Sequence, residues 1–166
     1  IIYLNKTCYN GLYRENQKGE FNVPFGRYVN PTICDEPRLR LAADVLRDVE
    51  LRAADFSEAV ETAVPGDFVY FDPPYVPLSQ TSSFTSYDRA GFGHADQVRL
   101  AEVVRRLTER GVRVMLSNSS APLVYALYDK PGYRLIEIRA RRNINSKADR
   151  RGPVKELLIL NYAPEA

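Results

Sequence analysis

The sequence predicts an α/β fold in which a mostly parallel sheet is flanked by helices. Three features carry this prediction: an apolar run at residues 68–71, a helical apolar pattern that follows it, and a second apolar run at residues 112–116. Strand, helix and strand in that order are typical of parallel strands joined by a crossover helix. The chain has 166 residues, enough for one ordinary domain, and its hydrophobic content of 45% is normal for a globular protein.

The first 36 residues form a segment of their own. They are rich in Tyr, Asn and Gly, and no helical period continues beyond about Gly11. We therefore predict the end of a helix, a β-hairpin around residues 17–19 and an irregular stretch up to residue 36. Residues 37–166 are expected to form the second part of the chain.

From Pro37 the pattern becomes helical. The apolar residues that share one helix face are Leu39, Ala42, Ala43, Leu46 and Val49. A short strand near residues 49–53 is the alternative to the last turn of this helix. Ser57 is expected to cap a further short helix through Val64, which the pair Pro65-Gly66 ends.

The later elements alternate between helix and strand. The clearest helix has an apolar stripe and a glycine stop, formed by Leu100, Val103, Val104, Leu107 and Gly111. Beyond the strand at residues 112–116, we predict a helix at 122–128 and strands at 133–140 and 156–162. The loop that joins these last strands is basic, with seven Lys or Arg and one acid between residues 139 and 155.

An acid, two prolines and a tyrosine follow the first predicted strand directly: Asp72, Pro73, Pro74 and Tyr75. In open α/β sheets, ligands bind just outside the carboxyl ends of the strands. The prolines fix their own φ and hold their neighbours extended, so the carboxylate and the aromatic ring keep set positions. The tetrapeptide therefore indicates a site, and a merely rigid turn at a strand end is the alternative.

Two further blocks lie near the N-terminus. Residues 9–14 read Tyr-Asn-Gly-Leu-Tyr-Arg, and residues 19–28 read Gly-Glu-Phe-Asn-Val-Pro-Phe-Gly-Arg-Tyr. With the tetrapeptide, these blocks resemble the Dam family (D12 class) of N6-adenine-specific DNA methyltransferases, over about residues 1–162. The resemblance implies part of a Rossmann-like class I methyltransferase sheet, with an N-terminal target-recognition hairpin segment in residues 1–36. The second part, residues 37–166, would be the C-terminal part of the catalytic domain.

The resemblance implies methyl transfer from S-adenosylmethionine to the N6 amino group of a flipped adenine in double-stranded DNA, with GATC as the expected site. The amino lone pair is delocalised into the ring, so acceptors that bind both N–H groups would localise and aim it. We assign these roles to the Asp72 carboxylate and the Pro73 carbonyl, within the catalytic segment Asp72, Pro73, Pro74 and Tyr75. Tyr75 would stack on the flipped base.

The resemblance also implies a donor site that includes Asp55, Phe56 and Asp72. For Asp55 and Phe56, a helix-capping neighbourhood is the alternative. Ser117 and Asn118 end the second predicted strand, where a simple turn and a role in shaping the base pocket remain equally open. The family often continues with His-Asp, whereas Ser119-Ser120 follow here.

The DNA contacts implied by the resemblance lie mostly in the N-terminal blocks. Arg14 is the expected base reader, because its fork matches the two major-groove acceptors of guanine, and Arg27 is an expected phosphate contact. The other residues expected at the interface are Tyr9, Asn10, Leu12, Pro24 and Tyr28. In the basic loop, the candidates for phosphate contact are Arg142, Asn143, Asn145, Arg150 and Arg151. A solvated hairpin and a disordered soluble loop are the alternatives.

Composition sets further bounds. Two cysteines form no disulfide framework, no apolar run approaches the length of a membrane helix, and no signal-peptide pattern is present, so we expect a cytoplasmic protein. The resemblance implies that it is prokaryotic or phage-encoded and nucleoid-associated. A lone histidine argues against a His-based metal site, so no metal is expected. The chain begins at Ile1 without a glycine-rich cofactor loop, which the family carries upstream. We therefore expect a fragment.

Two other functions remain open. One is a DNA-binding remnant that keeps the recognition segment and has lost catalysis. The other is methylation of RNA or protein amides, against which Asp72, rather than an asparagine, and the N-terminal blocks both argue. An upstream strand followed by a glycine-rich loop would favour the enzyme over the remnant.

Overall fold

The computed structural model describes residues 1–16, 18–78, 92–141 and 153–164. Contacts within the chain divide it into two compact units, Ile1–Arg52 and Ala53–Ala166. The sequence-based division after residue 36 falls inside the first unit. In the described part of the chain, no helix is both long and apolar enough to cross a membrane.

The first unit contains two α-helices and an irregular segment between them. Helix α1 (Ile2–Thr7) is followed by a single 3-10 turn (Tyr9–Gly11), and helix α2 spans Glu36–Val45. The segment between them makes two isolated antiparallel bridges, Cys8 to Phe25 and Glu15 to Phe21. Where a hairpin was predicted, the described residues of this segment thus form isolated bridges and no continuous strands. Residue 17, at the predicted tip, is not among the described residues.

Helix α2 is shorter than the apolar spacing suggested. Asp35 caps it, its carboxylate accepting a hydrogen bond from the Arg38 backbone N–H at 3.4 Å. The helix ends at Val45, and the alternative strand at residues 49–53 is absent, because this stretch has no strand pairing. The prediction that the helix extends to Val49 is therefore wrong.

The second unit is built around one four-stranded sheet. Its elements in chain order are α3 (Phe56–Ala59), β1 (Phe68–Phe71), α4 (His94–Glu109), β2 (Arg113–Ser119), α5 (Pro122–Tyr128), β3 (Arg134–Arg141) and β4 (Pro153–Leu160). The strand order is β1-β2-β4-β3. Strand β1 pairs with β2 in parallel, whereas β4 is antiparallel to both β2 and β3. Among the described strands the sheet is mixed, which corrects the expectation of a mostly parallel one.

Helix α3 begins at Phe56 and is capped by Asp55, not by the predicted Ser57. The Asp55 carboxylate accepts from the Ser57 backbone N–H at 2.9 Å and from the Ser57 hydroxyl at 2.6 Å. An aspartate two residues before an exposed N–H satisfies it as a helix cap, which is the role predicted for Ser57. The helix ends at Ala59, well before Pro65-Gly66.

The core of the second unit lies between α4, α5 and one face of the sheet. Leu100, Val103, Val104 and Leu107 of α4 are each at most 2% exposed, which confirms the predicted apolar stripe. The residues that meet them from the strands are Phe71, Val114, Leu116, Leu157 and Ile159. Gly111 follows the end of α4 with φ of +75°, a left-handed conformation that favours glycine, and so stops the helix as predicted.

Tyr128 at the end of α5 carries a buried polar group that lacks a partner. Its side chain is 1% exposed, and its hydroxyl has no hydrogen-bond partner among the described residues. A hydroxyl that loses water without gaining a partner destabilises the fold. We expect Tyr128→Phe to raise the free energy of unfolding by about 1 kcal/mol, measured by urea denaturation. A clear loss of stability would instead reveal a partner for the hydroxyl.

Candidate active site

The strand β1 delivers the tetrapeptide to the carboxyl end of the sheet. The strand ends at Phe71, which is 8% exposed and anchors it in the core. The next residue, Asp72, is exposed, Pro73 and Pro74 are half-buried, and Tyr75 is 37% exposed. The tetrapeptide therefore leaves the core at a position where a carboxylate and an aromatic ring can meet a ligand.

The Asp72 carboxylate is held by strand β2. The Ser117 hydroxyl donates to Asp72 Oδ1 at 2.8 Å and itself accepts from the Tyr70 hydroxyl at 3.0 Å. Ser117 is 4% exposed, so its hydroxyl bonds to protein groups and not to water. One carboxylate oxygen is thereby fixed, and the structure shows no hydrogen bond to Oδ2 from the described residues.

The next residue of β2 holds the far end of the tetrapeptide. Asn118 is fully buried, and its Oδ1 accepts from the Val76 backbone N–H at 3.0 Å. The Ser119 hydroxyl donates to the Val76 carbonyl at 2.5 Å. Successive side chains of a strand point to opposite faces of the sheet, so Ser117 and Asn118 bind the segment after β1 from opposite faces. Both residues lie inside β2, which extends beyond the predicted end to Ser119, so the simple-turn interpretation is wrong.

Tyr75 lies between the anchored residues. Burial raises the pKa of its hydroxyl, with further upward contributions from Glu156 and Asp72, while a hydrogen bond with Ser117 acts in the opposite direction. The phenol is consequently neutral at physiological pH. A neutral, partly exposed ring is suited to stacking on a planar ligand.

Asp55 and Phe56 are brought together with Arg99 of α4. The Arg99 guanidinium binds Asp55 through two hydrogen bonds of 2.7 and 3.0 Å, and it lies 4.0 Å from the centroid of the Phe56 ring. These hydrogen bonds, together with those from Ser57, hold the pKa of Asp55 well below its usual range. Both Asp55 oxygens are thus occupied, and the residue caps a helix, as the alternative interpretation expected. Contact of this carboxylate with the methyl donor stays a prediction.

Helix α4 links these two groups of residues. Arg99 contacts Asp55, and Gln97, two residues earlier, donates from Nε2 to the Pro74 carbonyl at 2.8 Å. Gln97 was not among the site residues predicted from the sequence. A signal was available, since Gln97 lies three residues before Leu100 and seven before Val104, and is therefore a polar residue within the apolar stripe.

In the first unit, the Arg14 side chain is held by hydrogen bonds to Asn22. Its Nε donates to Asn22 Oδ1 at 2.7 Å, and its Nη2 donates to the Asn22 carbonyl at 2.9 Å. The side chain is exposed, and Nη1 has no hydrogen-bond partner among the described residues. The outer edge of the guanidinium is therefore oriented and available.

The other predicted interface residues of the first unit are grouped by backbone contacts. The Tyr9 backbone N–H donates to the Pro24 carbonyl at 2.8 Å. Asn10 and Gly11 both have positive φ, 54° and 62°, which turns the chain sharply after Tyr9. The side chains of Tyr9, Asn10, Pro24, Arg27 and Tyr28 are exposed, and Leu12 is half-buried.

Gly26 allows the chain to approach itself closely beside these residues. A Cβ added at Gly26 would lie 2.5 Å from the Tyr28 ring and 2.9 Å from the Cys8 carbonyl, so no larger residue fits without a shift. The Gly26 backbone N–H donates to the Thr7 carbonyl at 2.7 Å. The exposed Tyr28 ring is thereby packed against the backbone.

Two groups of predicted residues lie outside the described part of the chain. They are the phosphate candidates Arg142, Asn143, Asn145, Arg150 and Arg151 of the basic loop, and residues 79–89 with Phe84 and Tyr87, which were expected to close over the flipped base or the DNA backbone. Among the residues that the structure describes, no three His, Cys, Asp or Glu side chains cluster as a metal site would require.

Comparison with known proteins shows which family the chain resembles. The family profile described as D12 class N6 adenine-specific DNA methyltransferase matches residues 1–144. The chain is 50% identical over 164 residues to the Type II methyltransferase M.MjaIII of Methanocaldococcus jannaschii, covering 98% of this chain and 56% of that protein. It is 39% identical over 164 residues to the DNA adenine methylase of Escherichia coli strain K12, covering 99% and 58%. The chain thus spans little more than half the length of these relatives.

Proposed function

Because the chain belongs to the D12 class of N6 adenine-specific DNA methyltransferases, we propose that it takes part in methylating the N6 amino group of adenine in double-stranded DNA. The observation that carries the proposal is the Asp72 carboxylate, exposed at the end of β1 and fixed through one oxygen by Ser117. A fixed carboxylate whose second oxygen is bound by none of the described residues is suited to accept a hydrogen bond from an amino group.

The proposed chemistry uses two acceptors on one segment. Asp72 Oδ2 accepts one N–H of the adenine amino group, and the Pro73 carbonyl accepts the other. Two acceptors in fixed positions localise the nitrogen lone pair and aim it, which lowers the barrier through orientation and electrostatics. Transfer would break the S–CH₃ bond of the donor, form the N6–CH₃ bond and release the demethylated thioether. The N6 atom, which keeps both of its protons, would then carry a positive charge that the Asp72 carboxylate stabilises until it accepts one of these protons and passes it to solvent. Tyr75 stacks on the base once it has left the duplex.

The methyl donor that we propose is S-adenosylmethionine, which supplies an electrophilic methyl group on a sulfonium. The described residues fit part of such a ligand. The half-buried Phe56 ring offers an apolar surface, and Asp72 offers a carboxylate, whereas Asp55 is engaged with Arg99 and Ser57. We propose that Asp55 serves the donor site by fixing Phe56 through Arg99.

Loss of the Ser117 hydroxyl should weaken catalysis through Asp72. A hydrogen bond to a charged group contributes about 1.5–3 kcal/mol. We therefore expect Ser117→Ala to lower the methyl-transfer rate by about tenfold or more. The measurement is a single-turnover assay with tritiated donor on the complete gene product. Ser120→Ala, the same change three residues later, is the control and should leave the rate unchanged. A Ser117→Ala rate within about twofold of the parent would remove Ser117 from the site.

GATC is the proposed recognition sequence, and Arg14 is the proposed reader of one guanine. The structure supports this role by showing Arg14 exposed and oriented by Asn22. Arg27 and the basic loop would add phosphate contacts. The relatives are named as adenine methylases and Type II methyltransferases, so protection of a host genome and marking of its DNA are both open roles for this chain.

Titration calorimetry distinguishes the proposed enzyme from the alternative, a DNA-binding remnant without catalysis. The 166-residue chain would be titrated with S-adenosylmethionine, alone and with a GATC duplex. Donor binding in the micromolar range would support a catalytic role for this part of the protein. Binding of the duplex without the donor, repeated with the complete gene product, would favour the remnant and contradict the proposed enzyme.

A further inference from the structure

A buried amide pair lies beneath the tetrapeptide and takes no part in the chemistry proposed above. Gln97 is 4% exposed, and Asn118 is fully buried. Asn118 Nδ2 donates to Gln97 Oε1 at 3.1 Å, and Gln97 Nε2 donates to the Pro74 carbonyl at 2.8 Å. Buried polar groups are costly unless satisfied, and satisfied ones specify a single arrangement.

The orientation of both amides follows from their partners. Asn118 Oδ1 accepts from two backbone N–H groups, those of Val76 at 3.0 Å and Ser119 at 2.8 Å. Only an oxygen can accept both, so the Asn118 NH₂ group must face Gln97. Gln97 must then present its oxygen to Asn118 and its NH₂ group to Pro74. A carboxylate at either position would break this chain of donors and acceptors.

The network holds the residues on both sides of Tyr75. Gln97 binds the Pro74 carbonyl, and Asn118 and Ser119 bind the Val76 N–H and carbonyl. Pro73 has a fixed φ and precedes a proline, so it is extended, and successive carbonyls of such a segment turn by about 120°. With the Pro74 carbonyl held on α4, the Pro73 carbonyl faces a different direction.

We propose that Gln97 is a positioning residue for methyl transfer. By fixing Pro74 it sets the direction of the Pro73 carbonyl and of the Tyr75 ring, the two groups that meet the flipped adenine beside Asp72. This inference rests on the proposed function. It explains why an amide occupies a position of the α4 stripe where an apolar side chain would continue the core.

The test is Gln97→Met in the complete gene product. Methionine has a similar length and lacks both hydrogen-bonding groups. Because small displacements of reacting groups have large effects on rate, the single-turnover rate at saturating donor and duplex should fall about 30- to 100-fold. The dissociation constants of S-adenosylmethionine and of a GATC duplex should stay within about threefold of the parent values. Glu102→Gln, an exposed position on the same helix, is the matched control and should not change the rate.

A purely structural role makes a different prediction. It would lower the melting temperature and the number of donor-binding sites while leaving the rate per binding site unchanged, and that result overturns the inference. Weaker donor or duplex binding with an unchanged saturating rate overturns it too. If Gln97→Met does not fold by circular dichroism, Gln97→Asn, which keeps the amide one methylene short, carries the same expectation. A parent protein that does not methylate adenine contradicts the proposed function itself.

Discussion

Replacing Asp72 with alanine is expected to lower the methyl-transfer rate by about 10³-fold, since it removes the acceptor that fixes the amino group. Binding of the GATC duplex should remain near the parent value. The loop does not depend on Asp72 for its course, because the prolines restrict it and Gln97 and Asn118 hold it at Pro74 and Val76. Single-turnover methylation and duplex binding by fluorescence anisotropy measure the two quantities.

The control for this change is Asp129→Ala, an aspartate-to-alanine substitution at an exposed position of the same unit. We expect it to leave both the rate and duplex binding unchanged. Methyl transfer by Asp72→Ala at a rate close to that of the parent would show that another acceptor does the work assigned to Asp72. A parallel loss of duplex binding would show that the loop contributes to affinity and not specifically to catalysis.

Replacing Arg14 with alanine is expected to remove discrimination at one base pair. The Arg14 guanidinium uses Nε and one donor of Nη2 to hold Asn22, which leaves its outer edge for a guanine. Loss of a bidentate contact of this kind costs about 1–3 kcal/mol against the cognate base pair. The measurement compares methylation of GATC with duplexes that carry each single base-pair change.

The matched comparison is Arg27→Ala, an exposed arginine of the same unit. As a phosphate contact it should weaken binding to all duplexes alike and reduce the slope of affinity against salt by about 1. If Arg14→Ala lowers activity equally on every duplex, Arg14 is a phosphate contact as well. If Arg27→Ala changes the preferred sequence, the two assignments are exchanged.

The elements that the sequence predicted well are those defined by local pattern. Strand β1 is a short apolar run between turn residues, and the stripe of α4 extends from Leu100 to Leu107 before Gly111. The tetrapeptide follows β1 directly, so its place at the carboxyl end of that strand could be predicted, whereas its support by Ser117, Gln97 and Asn118 could not. For these elements the pattern and the tertiary structure agree.

The errors arise where distant residues decide the outcome. Ser57 was expected to cap α3, but Asp55 takes the role and is held there by Arg99 from another helix. The second strand was expected to end at Ser117-Asn118, yet pairing with β4 continues through Ser119. No local pattern contains these partners, which are more than 30 residues away along the chain.

The same reason accounts for the part of the site that was missed. Asp72 and Tyr75 could be identified from their own segment, whereas Gln97 gains its meaning from the Pro74 carbonyl and from Asn118. Arg14 was selected for its chemistry, but its support by Asn22 depends on the antiparallel course of residues 14–22. The groups proposed to act on DNA could be identified from the sequence, whereas the residues that position them could be identified only from the fold.

The most direct test of the central claim is a nucleoside analysis of DNA treated with the complete gene product. A duplex with a single GATC site would be incubated with S-adenosylmethionine, digested to nucleosides and examined by mass spectrometry. We expect N6-methyladenine, confined to the adenines of that site, and none from a duplex in which the site is permuted. N4-methylcytosine, or no methylated nucleoside from a protein that binds both donor and duplex, would contradict the claim.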